Sequence, residues 1–125
     1  MKFASGIAAA LLAMCAPAFA QSMTAAEFLA KAEALIRSGR ATADSPELLA
    51  LRDQGLAAGK AVRAQQQADR AAGRAATLCM PERADFEAAE LIGFLTGIPR
   101  ERRNVPLVEA FADFIKIKYP CPARG

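Results

Sequence analysis

Few side chains in this chain could do chemistry, and they lack the partners that most reactions need. The sequence contains three cysteines, thirteen acidic residues and no histidine. Without an imidazole there is no histidine general base, no Ser–His or Cys–His pair and no histidine metal ligand. Glu87 and Glu90 lie three residues apart, as carboxylates do in helical-bundle metal sites, but those sites also use a histidine. We therefore expect both glutamates to face water, and we predict a protein that is not an enzyme and uses no metal or cofactor.

The first twenty residues have the pattern of a signal peptide. A basic start at Lys2 is followed by an apolar run over residues 6–16 and then by Ala18-Phe19-Ala20, the small-x-small pattern that signal peptidase cuts. The run is too short to cross a bilayer as a helix. Cys15 lies within it, but a lipid-attachment site needs a small residue before the cysteine, and a methionine stands there. We predict that residues 1–20 are removed and that no membrane span is left.

The remaining chain, residues 21–125, is predicted to be one domain that carries two cysteines, Cys79 and Cys121. Two cysteines in an exported chain typically form a disulfide, and a free pair used in redox or intermolecular chemistry is the alternative. By loop-closure entropy a bridge over this separation is worth roughly 4 kcal/mol, which is a large share of a small domain's stability. The bacterial periplasm is the compartment that fits this composition.

Length and charge limit the kind of partner. A chain of 125 residues is enough for one small domain, and its formal net charge of +3 comes from interspersed charges of both signs. A nucleic-acid binder usually concentrates basic residues on one face together with stacking aromatics. With seven phenylalanines, one tyrosine and no such patch, we do not expect nucleic acid as a partner.

Caps and apolar spacing predict helices throughout and no strands. Thr24 and Glu27 form a capping box, and Ser45-Pro46-Glu47 is a second strong helix start. The polar stretch 65–70 is predicted to be a solvated end of the second helix. The predicted helices begin and end near Thr24 and Ser38, Ser45 and Arg74, Asp85 and Thr96, and Val105 and Lys118. The fold class is therefore all-α, a small bundle of about four to five helices with one disulfide.

The pattern within the helices predicts how they pack. Gly55 and Gly59, four residues apart on the second helix, each cost about 1 kcal/mol relative to alanine, so we expect another helix to approach them closely. If the third and fourth helices form an antiparallel hairpin, both cysteines lie at its open end and the charged segment 100–104 lies at the other. The apolar stripe of the third helix is predicted to consist of Phe86, Ala89, Ile92 and Gly93, with Leu91 and Leu95 beside it.

Four motifs in the C-terminal half carry a resemblance to a known family. They are Cys79-x-Pro81, Phe94-Leu95-x-x-x-Pro99, Val108-Glu109-Ala110-Phe111 and Tyr119-Pro120-Cys121-Pro122. Together they resemble the C-terminal signature of the type VI secretion amidase immunity proteins, the Tai family. The start at residues 23–29 and the Gly55-x-x-x-Gly59 helix match that family more loosely. The resemblance covers most of residues 21–125 and is specific over residues 79–122.

The resemblance implies a periplasmic all-helical protein, often a dimer, that blocks a peptidoglycan-cleaving amidase. Inhibition in such pairs is by occlusion, in which a protruding element plugs the active-site groove of the enzyme. On this chain the candidate element is the charged segment, with Arg100, Glu101, Arg102 and Arg103 as partner-binding residues. Arginine is favoured at binding hot spots and can bridge carboxylates bidentately. The alternative is that these residues form a solvated turn.

Two other functions fit the same outline. A periplasmic stress chaperone would use apolar surfaces that partial unfolding exposes, here those of Phe86, Phe94, Phe111 and Phe114. An acid-triggered chaperone would have to sense pH through carboxylates, because the chain has no histidine. A structural subunit of an envelope complex is the third reading. Capture of a partner discriminates among the three.

Overall fold

The computed structural model describes residues 23–123 and is all-α, as predicted. The predicted signal peptide and Cys15 lie outside the described residues. A single 3₁₀ turn, Arg100–Arg102, lies between the last two helices. The four helices of residues 23–123 are α1 (Ala25–Arg37), α2 (Pro46–Ala71), α3 (Ala88–Gly97) and α4 (Leu107–Lys118). No helix among residues 23–123 combines the length and the apolar composition that a membrane crossing requires.

The first two helices begin where their capping residues predict. The Thr24 hydroxyl accepts the backbone N–H of Glu27 at 3.1 Å, and the Glu27 carboxylate accepts the N–H of Thr24 at 3.2 Å. The Ser45 hydroxyl accepts the N–H of Leu48 at 3.1 Å at the start of α2. Gly39 follows the end of α1 with a φ of 69°, a conformation that suits glycine. These side chains satisfy N–H groups that a helix start leaves unpaired.

The start of α3 differs from the prediction. The helix begins at Ala88, three residues after the expected Asp85, because two contacts hold the preceding segment extended. The Tyr119 hydroxyl donates to the carbonyl of Asp85 and accepts its N–H, both at 3.0 Å. Glu87 has an extended conformation and donates its N–H to the Glu90 carboxylate at 2.8 Å. The backbone groups of Asp85 are therefore bonded to Tyr119, directly after α4, rather than within a helix of their own.

The apolar stripe predicted for α3 is correct only in part, because Phe86 and Ile92 are half-buried against the core. Leu91 and Leu95, with 4% and 1% of their surface exposed, are its buried residues, whereas Ala89 and Gly93 are exposed. Phe86 lies before the helix and packs its ring against α4 from the extended segment. The three-residue delay in the start of α3 is why Phe86 does not belong to its helical face.

The core lies where α4 packs against the other three helices. Phe111 and Ile115 of α4 are almost wholly buried, together with Val62 of α2 and Leu95 of α3. Four phenylalanines form a cluster with ring centroids 5.3–6.0 Å apart, mostly in edge-on or tilted pairs, the arrangement that aromatic quadrupoles favour. The members of this cluster are Phe86, Phe94, Phe111 and Phe114.

The predicted approach of another helix to Gly55 and Gly59 of α2 is found at only one of the two glycines. A methyl group added at Gly59 would lie 3.8 Å from the ring of Phe111, so α4 does approach there. A methyl group added at Gly55 would meet nothing within 4 Å. Gly55 borders an open groove and is not explained by packing within the described chain.

The disulfide between Cys79 and Cys121 forms as predicted, with a Cα–Cα distance of 5.2 Å. Close to it, Lys118 at the end of α4 forms an ion pair with Glu90 at the start of α3. The end of α4 thus lies against the start of α3, which makes the two helices an antiparallel hairpin. The disulfide lies at the open end of that hairpin, and the connection between the helices lies at the other end.

Candidate functional site

The candidate site is the connection between α3 and α4, residues 98–106, which we call the α3–α4 loop. Two backbone hydrogen bonds shape its 3₁₀ turn. The N–H of Arg102 donates to Pro99 at 2.9 Å and the N–H of Arg103 donates to Arg100 at 3.3 Å. Pro99 and Pro106 flank the turn, and proline restricts the backbone at both places. The loop is therefore ordered by its own sequence before any partner is considered.

Arg103 has a structural role within the loop. Its Nε donates to the carbonyl of Ile98 at 2.8 Å, and its Nη2 donates to the carbonyl of Thr96 at 2.7 Å. The last carbonyls of a helix have no intrahelical partner, and a guanidinium with several donors can satisfy two of them at once. Arg103 therefore closes the C-terminal end of α3, and this use of its side chain was not part of its predicted role.

A second set of contacts ties the loop to the start of α1. The N–H groups of Ala25 and Ala26 donate to the carbonyls of Val105 and Arg103, both at 2.9 Å, and the N–H of Leu107 donates to Met23 at 2.8 Å. We call these three bonds the clasp. Because the first N–H groups of α1 have no partner inside the helix, the clasp satisfies them and fixes the loop backbone in the same step.

The remaining charged side chains of the loop face solvent. Arg100, Glu101 and Arg102 are exposed, and among residues 23–123 none of the three makes an ion pair or a side-chain hydrogen bond. Of the four predicted partner-binding residues, these three are thus free to contact another molecule. The structure brings all four together in one turn, with Arg103 supporting the other three.

An open groove of about 670 Å³ lies beside the loop, between α3 and α4. Its lining includes Phe94, Ile98 and Val105, which are half-buried, and the charged residues Arg102 and Glu109. A flat partner surface could therefore meet the exposed turn while one of its side chains entered this groove. The chemistry offered is that of recognition, with both signs of charge around a small apolar surface.

The two carboxylates Glu87 and Glu90 lie at the N-cap and in the first turn of α3. Glu90 is bound to Lys118, and this hydrogen bond, with a second from the N–H of Glu87, holds the pKa of Glu90 below its ordinary value. The same contact raises the pKa of Lys118. Within residues 23–123 no three histidine, cysteine, aspartate or glutamate side chains are grouped so that they could hold a metal ion.

Sequence reasoning missed the residues that hold the segment before α3. Gln66, predicted to be solvated, is only 6% exposed; its amide accepts the N–H of Met80 at 2.9 Å and donates to the carbonyl of Met80 at 3.0 Å. Arg63, one turn earlier, donates to the carbonyl of Pro81 at 2.9 Å. The signal that could have shown this is the four-residue spacing Ala58, Val62, Gln66, which continues the buried face of α2. These contacts position Cys79 for its bridge to Cys121.

The comparisons with known proteins add no family and no structural neighbour. No protein-family model, no curated protein and no solved structure matches this chain.

Proposed function

We propose that this chain is a periplasmic protein that binds and inhibits a peptidoglycan-cleaving amidase delivered by type VI secretion. In this proposal it acts by occlusion and performs no catalysis. The resemblance over residues 79–122 supports the choice of partner. The observation that carries the proposal is the α3–α4 loop, which is fixed by the clasp and by Arg103 while Arg100, Glu101 and Arg102 are exposed.

A loop that is ordered before binding has a physical advantage as an inhibitor. Ordering of a mobile loop on association costs free energy, and a loop already held by hydrogen bonds avoids most of that cost. Arg100 and Arg102 can each make two parallel hydrogen bonds to a carboxylate. The proposal therefore expects an acidic partner surface near the active-site groove of the amidase.

The test begins with capture followed by an enzyme assay. The full chain, expressed with its own N-terminal segment and purified in its oxidised form, is used to capture periplasmic and secreted proteins, which are identified by mass spectrometry. Each captured peptidoglycan hydrolase is then assayed on peptidoglycan with and without the chain. Stoichiometric inhibition of an amidase is the expected result. Inhibition of no captured hydrolase would overturn the proposal.

Two double variants locate the binding surface on the chain. Arg100→Ala with Arg102→Ala removes two exposed loop charges and is expected to weaken binding by at least tenfold, as loss of arginine hot spots does. Arg37→Ala with Arg70→Ala removes the same charge from exposed positions on α1 and α2 and is the matched control. Equal affinities of the two variants would remove the loop from the proposal.

A third variant distinguishes residues that contact the partner from a residue that holds the α3–α4 loop in place. Arg103→Ala leaves the carbonyls of Thr96 and Ile98 without their donor, so it is expected to lower both the melting temperature and the affinity. The exposed double variant should lower the affinity alone. Capture of many unrelated unfolded proteins, with no inhibition of a hydrolase, would favour the chaperone instead.

A further inference from the structure

A second open groove, unconnected with the α3–α4 loop, lies between α1, α2 and the segment 84–92. We call it the apolar groove. It has a volume of about 550 Å³, within the range of cavities that take small molecules. Its lining is almost wholly apolar, and Arg52 is the one charged residue in it among those described. Representative lining residues are Phe28, Leu35, Leu51, Phe86 and Leu91.

Two features of the apolar groove are unfavourable for a chain with nothing bound there. Ile36 and Leu56 border it with 58% and 56% of their surfaces exposed to water. Gly55 lies in the interior of α2, where glycine costs about 1 kcal/mol relative to alanine, yet a methyl group added to it would meet nothing within 4 Å. Packing within the described chain requires glycine at neither position of the pair, but only at Gly55 would an added methyl group meet open space, since at Gly59 it would contact Phe111. Because Gly55 has no side chain, the apolar groove extends to the backbone of α2 at this position.

The apolar groove continues into a charged compartment. A neighbouring cavity of about 620 Å³ shares part of its lining, including Gly55 and Phe86, and adds charged residues. Its cations are Lys60, Arg63 and Arg83, and its anions are Glu82 and Asp85. The guanidinium of Arg63 donates hydrogen bonds to the carbonyls of Pro81 and Glu82. The charged compartment thus has three cations against two anions, next to a long apolar surface.

This arrangement fits a ligand with an apolar chain and a single negative charge. An unbranched alkyl chain can lie along the backbone at Gly55, where no side chain intervenes, and can cover Ile36 and Leu56. A carboxylate can meet the excess of cations without entering the apolar surface. We propose that the apolar groove binds a fatty acid, with its alkyl chain along α2 and its carboxylate in the charged compartment beside Lys60 and Arg83. This site is independent of the proposed inhibition of an amidase.

The direct test is isothermal titration calorimetry of the full, oxidised chain with monomeric fatty acids of increasing length. The probes are octanoate, decanoate and dodecanoate, each below its micelle-forming concentration. Burial of each methylene group in a half-open groove should lower the dissociation constant by about four- to fifteenfold for every two carbons added. Saturation at one molecule per chain is expected. A dissociation constant that does not change with chain length, or no saturable binding at all, would overturn the proposal.

The head group is tested with matched ligands and matched variants. Dodecyltrimethylammonium has the same chain and the opposite charge, so it should bind at least tenfold more weakly than dodecanoate. Replacing Lys60 and Arg83 together with glutamine should remove this difference. Replacing the same number of exposed cations elsewhere should not, and the residues for that control are Arg37 and Arg70. Equal binding of the two ligands by the unmodified chain would overturn the assignment of the carboxylate.

The groove itself is tested by filling it. Gly55→Leu places a side chain in the open space and should weaken dodecanoate binding at least tenfold, with no loss of melting temperature because leucine favours the helix. Ala57→Leu adds the same side chain at an exposed position of α2 and should bind normally. The loop variant Arg100→Ala with Arg102→Ala should also bind dodecanoate normally, so failure of this proposal and failure of the amidase proposal are distinguishable. Attachment to phosphatidylglycerol vesicles without saturable binding of dodecanoate would mean a membrane surface site and would overturn this one.

Discussion

Replacement of Gln66 by methionine tests how the segment before α3 is held to α2. The side-chain amide of Gln66 pairs with both the N–H and the carbonyl of Met80, at 2.9 and 3.0 Å, in a buried position. Methionine has a similar length but can neither donate nor accept in this way. Two buried backbone groups would lose their partners, each at about 1–3 kcal/mol. We expect Gln66→Met to lower the free energy of unfolding by about 2–4 kcal/mol.

The assay is urea unfolding of the oxidised chain, followed by far-ultraviolet circular dichroism. With an m-value of about 1–2 kcal/mol per molar urea, the midpoint should fall by at least about 1 M. Gln67→Met changes the neighbouring, exposed residue of the same helix and should stay within about 0.5 kcal/mol of the unmodified chain. An equal effect of the two substitutions would refute the reasoning, because Met80 would then exchange its partners for water without cost.

A second substitution at the same position tests the mechanism by pH. In Gln66→Glu the ionised carboxylate can accept the N–H of Met80. Its second oxygen, however, faces the carbonyl oxygen of Met80, and neither of these two oxygens can donate a hydrogen bond. Burial and this carbonyl raise the pKa of the introduced carboxyl in the folded state, so folding favours its protonated form. The stability of the variant should therefore be highest at acid pH and fall as pH rises through that raised pKa. The loss in free energy of unfolding relative to the unmodified chain should shrink on acidification. A loss that is independent of pH would contradict the pairing of residue 66 with the backbone of Met80.

Three further outcomes are expected. Replacing both cysteines of the disulfide with serine should lower the free energy of unfolding by about 4 kcal/mol, and an unchanged thermal melt would show that the cross-link adds no stability. Glu90→Gln keeps an oxygen for the N–H of Glu87 but loses the charge that faces Lys118. Because the pKa of Glu90 is lowered from 4.5 in the folded state, its contribution to stability is present above pH 4.5 and is lost as the pH falls through the lowered pKa. The variant should be less stable than the unmodified chain at neutral pH, and this difference should shrink on acidification. A difference that is independent of pH would contradict the ion pair. Gly59→Ala should raise the free energy of unfolding by up to about 1 kcal/mol, since the added methyl group meets Phe111 at an ordinary contact distance of 3.8 Å, and a lowered melting temperature would argue against that packing.

The parts of the fold that could be predicted are those that depend on near neighbours in the chain. The starts of α1 and α2 follow from Thr24 and Ser45, whose hydroxyl groups bond to N–H groups three residues away. The disulfide follows from the presence of two cysteines in a chain read as exported. The arginine-rich loop could be placed between two helices because Gly97 and the prolines end and restart the helical pattern.

The parts that could not be predicted depend on side chains that bind the backbone of a distant segment. Gln66 with Met80 and Tyr119 with Asp85 join residues that are 14 and 34 positions apart. Such contacts leave no periodic pattern, because one end of each is a backbone group that every residue has. The same reason hid the role of Arg103, whose acceptors are the backbone carbonyls of Thr96 and Ile98. The four candidate residues of the α3–α4 loop could thus be proposed by residue type, while the hydrogen bonds that support the loop could not be predicted.

The clasp joins two segments that are far apart in the chain. Its two halves, residues 23–26 and 103–107, lie near opposite ends of the described sequence. During synthesis, residues 23–26 are made long before residues 103–107, so the clasp cannot form until the second segment is available. Bringing the two segments together costs the entropy of closing a long loop, and the hydrogen bonds form only after that cost. The disulfide likewise joins a residue before α3 to one after α4. A chain cut short before the α3–α4 loop therefore lacks α4. It also lacks the carbonyl groups of Arg103 and Val105, to which the first N–H groups of α1 donate.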